Sequence, residues 1–269
     1  GGGNLLISSD YHSLYKGEKM EQKIVLAKRP NKEIYVKDGV LYKSFDKSFK
    51  KSDVLNEAIN QARIEEAGLT IPKIYDVSIN DDGNYYIAME YIEGKSLEQL
   101  MAEDPGKTDE YLRKFVEIQR DMHKYNVPLL NRTKEKFTRK LYDANIDGTI
   151  KYELQMRLNG MPTHFKLCHG DYDPSNIIVT ADGRYYILDW SHATTGNGSA
   201  DAARTYLIFK LKGKDDLAEK YMNLYCEINN TTRHYVSKWL PIVAASQSVK
   251  GKPEERDFLM KWATVVEYE

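Results

Sequence analysis

Beyond residue 20, short apolar runs alternate with turn signals before the pattern changes to helical spacing. Runs at 23–28 (KIVLAK), 33–37 (EIYVK) and 40–45 (VLYKSF) are rich in Ile, Val and Tyr. Arg29-Pro30-Asn31-Lys32 separates the first two, and Asp38-Gly39 separates the second and third. Asp-Gly between two such runs is a strong hairpin signal, so a three-stranded antiparallel meander is predicted. From Ser52 to Ala67, apolar residues fall at 54, 55, 58, 59 and 62, which predicts an amphipathic helix with Ser52 as N-cap and Gly68 closing it. Two more strands are expected at 73–79 and 85–92, split by Asn80-Asp81-Asp82-Gly83.

After Glu93-Gly94 helical periodicity takes over, at 96–103, 108–125 and 134–158. A brief β interlude follows at 166–169, 176–180 and 185–189. Helices are expected again at about 200–211, 215–229, 232–248 and 253–266. The fold class is therefore α+β. A lobe at 20–93 holds a five-stranded antiparallel sheet and one helix, and a mainly helical lobe spans 94–269. A bilobal chain is expected to place its chemistry in the cleft between lobes.

Composition narrows the function classes. The 269 residues are 41% hydrophobic and 29% charged, which suits a soluble globular chain. Thirty-nine basic against 40 acidic side chains leave a net charge of −1, which argues against nucleic acid as partner. No run approaches the ~18 apolar residues of a membrane-spanning helix, so no membrane partner is expected. Cys168 and Cys226 are read as reduced thiols of a cytoplasmic protein. Residues 1–19, GGGNLLISSDYHSLYKGEK, read as an N-terminal extension or tag remnant, with Met20 as a candidate start.

The stretch 168–191, CHGDYDPSNIIVTADGRYYILDWS, concentrates the chemistry. Asp171 and Asn176 sit at the two ends of one tight loop bent by Pro174. The hairpin from Ile177 to Asp189, turning at Asp182-Gly183, would bring Asp189 back beside Asn176. One carboxylate to orient and deprotonate a hydroxyl, with oxygen ligands for Mg²⁺ on nucleotide phosphates, is the equipment of phosphoryl transfer.

H-G-D-x-x-x-x-N followed by L-D-W resembles the aminoglycoside phosphotransferase and choline kinase superfamily, the small-molecule branch of the protein-kinase-like fold. The likeness covers about residues 23–266. It implies a bilobal kinase-like fold, with Asp171 as catalytic base and Asn176 and Asp189 as Mg²⁺ ligands. Lys43 resembles the lysine that pairs with nucleotide phosphates, and Glu57 resembles its ion-pair partner. Met89-Glu90-Tyr91-Ile92 resembles the interlobe hinge, where the Glu90 carbonyl and Ile92 amide would bind adenine. His169 would brace the catalytic loop, and Asp201, at a helix start and equally readable as an N-cap, would tie that loop down. The co-substrate implied is ATP, or GTP, with Mg²⁺. The partner implied is a small-molecule alcohol, such as an aminoglycoside, an amino alcohol, a sugar or an amino acid, on a monomer or homodimer.

Departures from the family pattern are plain. The 28–32 turn holds no glycine to cover phosphates, Ser191 stands where the metal motif has Gly, and Asp173 stands where protein kinases place a Lys. Asp201 follows Asp189 by only twelve positions, which leaves no room for a long activation segment. The insert 126–165 is assigned by the likeness to a small-molecule pocket. A non-catalytic nucleotide-binding module and a protein Ser/Thr kinase are the rival readings. Trp239 and Trp262 read as core, the basic stretch 132–140 (RTKEKFTRK) as a solvated helix face, and His123, His164 and His192 receive no role. Charge is also unevenly spread. Residues 23–51 hold nine Lys/Arg against three Asp/Glu, whereas 169–201 hold five Asp and one Arg.

Overall fold

A computed structural model describes residues 8–12, 21–250 and 252–264. Contacts divide them into two compact units. One runs through Lys95 and takes in Ile178–Ser191, and the other comprises Ser96–Ile177 and the chain from His192 onward.

In the first unit, β1 (Ser8–His12), β2 (Glu21–Lys28), β3 (Lys32–Lys37), β4 (Val40–Phe45), β5 (Ile74–Ile79) and β6 (Tyr85–Glu90) form one antiparallel sheet in the order β1-β2-β3-β4-β6-β5. The five expected strands are all present. Ser8–His12, from the stretch read as an extension, adds a sixth at the edge by pairing with β2; the rest of that stretch and Met20 lie outside the described residues. Asp38 and Gly39 both adopt positive φ, 51° and 75°, the backbone a two-residue hairpin of this twist requires.

Helix α1 (Lys51–Glu66) packs on the sheet through Val54 and Ala58, which meet Phe45, Ile87 and Met89 in one apolar cluster. Its N-cap is Lys50, with no side-chain hydrogen bond, so the expected Ser52 cap is corrected by two positions. Gly68, at φ +96°, follows the helix as expected. Strand β7 (Lys95–Ser96) comes next in the chain. The hairpin of β9 (Ile177–Val179) and β10 (Tyr185–Ile187) turns at Gly183, φ +82°.

The second unit is helical. Ser96 caps α2 (Leu97–Glu103) with a reciprocal capping box to Gln99, and α3 (Thr108–Met122) follows. The single helix expected over 134–158 is two, α4 (Thr133–Asp143) and α5 (Gly148–Gly160). The break falls where Asp147 accepts from the Thr149 amide and starts a new helix. Strand β8 (Lys166–Cys168) pairs with β11 (Thr194–Gly196), which is too short to show a sequence period. Next come α6 (Gly198–Leu211) and α7 (Asp215–Asn229). The span 232–248 also divides, into α8 (Arg233–Ser237) and α9 (Leu240–Ser248). Pro241 in the first turn of α9 lacks an amide and cannot continue the preceding helix. Helix α10 (Pro253–Ala263) is last.

Phe115, Tyr172, Phe209 and Tyr221 form the aromatic centre of this unit, all essentially inaccessible to solvent. Trp239 is fully buried, as its core assignment requires. Among the described residues no helix is long and apolar enough to cross a membrane.

Candidate active site

The expected residues gather in two sets, one within each unit. In the first, β4 alternates so that Lys43 points inward between Leu41 and Phe45, and the lysine is 7% exposed. A bare ammonium at that depth is costly. Two carboxylates offset the cost: Glu57 Oε2 at 2.9 Å, presented by α1, and Asp189 Oδ1 at 3.5 Å, just after β10. Burial alone would lower the Lys43 pKa, but the charges of Asp189 and Glu57 outweigh it and the value is raised. Asp189 adopts φ +59°, rare for a residue with a side chain, and its Oδ1 also accepts from Ser191 Oγ at 3.0 Å. The serine standing in for glycine therefore makes a hydrogen bond of its own to the carboxylate.

Lys32, not singled out from the sequence, lies near this cluster. It ends the glycine-free turn, its carbonyl accepts from the Arg29 amide at 2.8 Å, and its ammonium lies 5.1 Å from the Phe49 ring centre. Burial, then the nearby charge of Lys43, lower its pKa. Glu90 closes β6 with its amide bonded to the Lys73 carbonyl at 2.8 Å, and Ile92 lies half-buried two residues further.

In the second unit, the loop after β8 is bound to the start of α6. Asp201, 3% exposed, accepts from the His169 amide at 3.1 Å and the Gly170 amide at 2.8 Å. His123 Nε2 reaches the same carboxylate at 2.9 Å. Burial alone would raise the Asp201 pKa, but His123 and the Gly170 amide hold it below the ordinary carboxylate value. Asp201 is not the N-cap of α6. Asn197 takes that place by accepting from the Ser199 amide, which leaves the Asp201 carboxylate for the loop. His123, given no role from the sequence, is thus the third arm of this clamp. Only the fold brings it there, from 78 positions away.

His169 is fully buried, and its Nδ1 accepts from the Asp171 amide at 3.1 Å. Asn176 Nδ2 donates to the Asp171 carbonyl at 2.9 Å, so both ends of the loop are tied. Asp173 caps the turn before Asn176 through the Ser175 amide and pairs with Lys212 at 3.0 Å. His123, Cys168 and Asp201 place potential ligand atoms within 4.8 Å of one another, but the histidine and carboxylate are already bonded to each other.

Gly170, at φ +84°, is where the loop turns, and a Cβ there would lie 2.6 Å from the His192 carbonyl oxygen. Gly170→Ala combines left-handed strain with that clash. The expected outcome is a loss of about 1–3 kcal/mol of stability in a denaturant melt. An unchanged melt would show that the loop relaxes without cost.

The basic stretch 132–140 is only in part a solvated face: Arg132 and Arg139 are exposed, whereas Lys136 and Lys140 are half-buried. Lys136 and Lys140 on α4 turn toward α6 and α9 and line a cavity of about 270 Å³ together with Gly170 and Arg204. Arg204 Nη2 lies 3.6 Å from Asp171 Oδ1.

A family model described as the phosphotransferase enzyme family matches residues 34–237. No curated protein matches the sequence. Among solved structures, a thermostable mutant of aminoglycoside phosphotransferase APH(4)-Ia, in ternary complex with AMP-PNP and hygromycin B, superposes with a TM-score of 0.69 at 14% identity, over 91% of this chain and 92% of that one. LicA in complex with AMP gives 0.60 at 15%, over 91% and 93%. The GDP complex of wild-type aminoglycoside 2'-phosphotransferase-IIIa gives 0.58 at 17%, over 88% and 89%. At these identities the likeness concerns the fold.

Proposed function

The chain belongs to the phosphotransferase enzyme family, and from that premise we propose that it transfers the γ-phosphoryl group of ATP or GTP to a hydroxyl of a small molecule. The observation that carries this reading is the buried Lys43–Glu57–Asp189 cluster, a cation built into the sheet and held charged by two carboxylates. GDP, AMP and AMP-PNP in the related structures support a nucleotide as donor.

In this reading Lys43 meets the nucleotide phosphates, and Lys32 adds a second cation in place of the missing glycine amides. The Glu90 carbonyl and Ile92 amide take the adenine. Asp171 orients the acceptor hydroxyl and accepts its proton as the oxygen attacks the γ-phosphorus. The new O–P bond forms while the bond to the β–γ bridging oxygen breaks, and the nucleoside diphosphate leaves with that electron pair. His169 and Asp201 act through the backbone by holding the loop that presents Asp171.

Asn176 and Asp189 offer the hard oxygen donors Mg²⁺ takes. The Asn176 amide nitrogen is already spent on the Asp171 carbonyl, which leaves Oδ1 as the oxygen it offers a cation. When bound, the ion would neutralise charge on the phosphates.

The test is a panel of metabolites and antibiotics incubated with Mg·ATP and scored by mass for phosphorylated product. A product dependent on Asp171 is expected. Mg·ATP binding with no product across the panel would favour the non-catalytic module instead. Lys43→Met should lower kcat/KM for the nucleotide about a hundredfold, the scale of losing one aligned charge-stabilising donor. An unchanged nucleotide kcat/KM would remove Lys43 from the phosphate site.

A further inference from the structure

The cavity beside Gly170 carries more positive charge than the chemistry above uses. Its volume of about 270 Å³ lies just below the ~300–1,000 Å³ of ordinary ligand pockets. Four cations line it, Lys136 and Lys140 from α4, Arg204 from α6 and Lys250 after α9, against a single carboxylate, Asp201. That carboxylate is already taken by His123 and two backbone amides. Lys136 donates to the neutral carbonyl of His192 at 3.3 Å. Among the described residues, no carboxylate lies within ion-pair distance of Lys136, Lys140 or Lys250. The Arg204 side chain is 15% exposed, and its Nη1 is buried without a hydrogen-bond partner among the described residues.

Lys136 and Arg204 lose hydration here and all four cations repel one another, and a counter-charge compensates both costs. Other carboxylates act on parts of this cluster, Asp171 and Glu255 on Arg204 and Asp143 on Lys140, but among the described residues none forms an ion pair with Lys136, Lys140 or Lys250. The cavity also adjoins the reacting centre, because Gly170 lines it and Arg204 links it to the Asp171 carboxylate.

We propose, resting on the phosphotransferase reading, that this cavity receives the acceptor and that the acceptor is an anionic alcohol. Its carboxylate or phosphate group is held by Lys136, Lys140 and Lys250, and its hydroxyl faces Asp171. Phe137 and Val243 provide apolar contact for a short carbon chain. A polycationic aminoglycoside is disfavoured in the same cavity, since its ammonium groups would meet lysines where they need carboxylates.

Protonation supplies a second readout. Burial first, and then neighbouring positive charge, brings Lys136 and Lys140 down to about 8. Lys136 faces Lys140, Lys250, Arg204 and Asp201, and Lys140 faces Lys250, Arg139 and Asp143. A bound anion favours the charged ammoniums, so binding takes up protons near pH 8 and weakens as the pH rises above it.

The experiment uses the full chain with glycerate, ribose 5-phosphate, a neutral sugar and kanamycin as probes. Binding is read by calorimetry and turnover by labelled phosphate from ATP. At least one of the two acids is expected to bind and be phosphorylated. Its KM should rise tenfold or more in Lys140→Glu and in Lys250→Glu, with nucleotide affinity unchanged. Lys250 is exposed two residues after α9, so its reversal keeps the test intact if Lys140→Glu fails to fold. Failure of both acids to bind overturns the proposal. So does turnover of only the neutral or cationic probe, or a loss of nucleotide rather than acid affinity in the variants. Charge-dependent acid binding without turnover of any probe supports the anion site while counting against the phosphotransferase reading, so the two can fail separately.

Discussion

Asp171→Ala is expected to lower turnover of the true acceptor by about 10²–10⁴-fold, the range that a positioned general base contributes. The carboxylate sits on a loop whose amides are fixed by His169 and Asp201, so truncating it would remove the proposed proton acceptor without releasing the loop. Nucleotide affinity should therefore remain measurable, because Lys43, Glu57 and Asp189 are held to one another independently of this residue. Steady-state kinetics with the acceptor, beside equilibrium titration of ATP, separate the two effects. Retained turnover at the wild-type rate would assign the base elsewhere. The same truncation frees Arg204 from its carboxylate partner 3.6 Å away. An anionic acceptor should then bind Asp171→Ala at least as tightly as the intact protein, whereas a cationic acceptor should lose affinity.

Asp201→Ala carries the largest expected effect on stability. One carboxylate serves His123, the His169 amide and the Gly170 amide at full burial, and removing it strands all three donors. Breaking a buried charged cluster from one side costs about 3–5 kcal/mol. That corresponds to a fall of roughly 6–20 °C in melting temperature for a chain of this size. Asn is no rescue, since both oxygens accept and an amide would set an N–H against a donor. Because the folded carboxyl titrates below its ordinary 3.8, its stabilisation is present above that pH. It is lost as acidification carries the pH through the lowered native value. The melting-temperature gap between intact protein and variant should thus stay constant from pH 7 to about pH 5 and narrow as the pH falls below 3.8. A variant that melts with the wild type would show that the clamp contributes nothing net.

The strands and the loop from His169 to Asn176 were legible because each rule acted over a few neighbouring residues. Asp38-Gly39 placed its turn to the residue, since only that backbone suits so short a hairpin. Boundaries set by one hydrogen bond were less legible. Ser52 is a good capping residue by type, yet α1 begins at Lys51, and the break inside 134–158 rests on the single side-chain contact from Asp147. His123 and Lys136 were invisible for a different reason. Their partners lie 78 and 56 positions away, and no local spacing encodes such contacts.

The sequence by itself determined the order of elements, the alternation that aims Lys43 into the sheet, and the tight loop from His169 to Asn176. These follow from local backbone sterics and from the periods of 2 and 3.6 that match apolar positions to strands and helices. Tertiary structure alone decided which charges meet. The near-neutral total of 39 bases and 40 acids concealed a carboxylate clamp at Asp201 and a cluster of cations beside Gly170. Coulomb energy depends on distance in space and on the surrounding dielectric, and the chain sets neither until α4, α6 and α9 have packed.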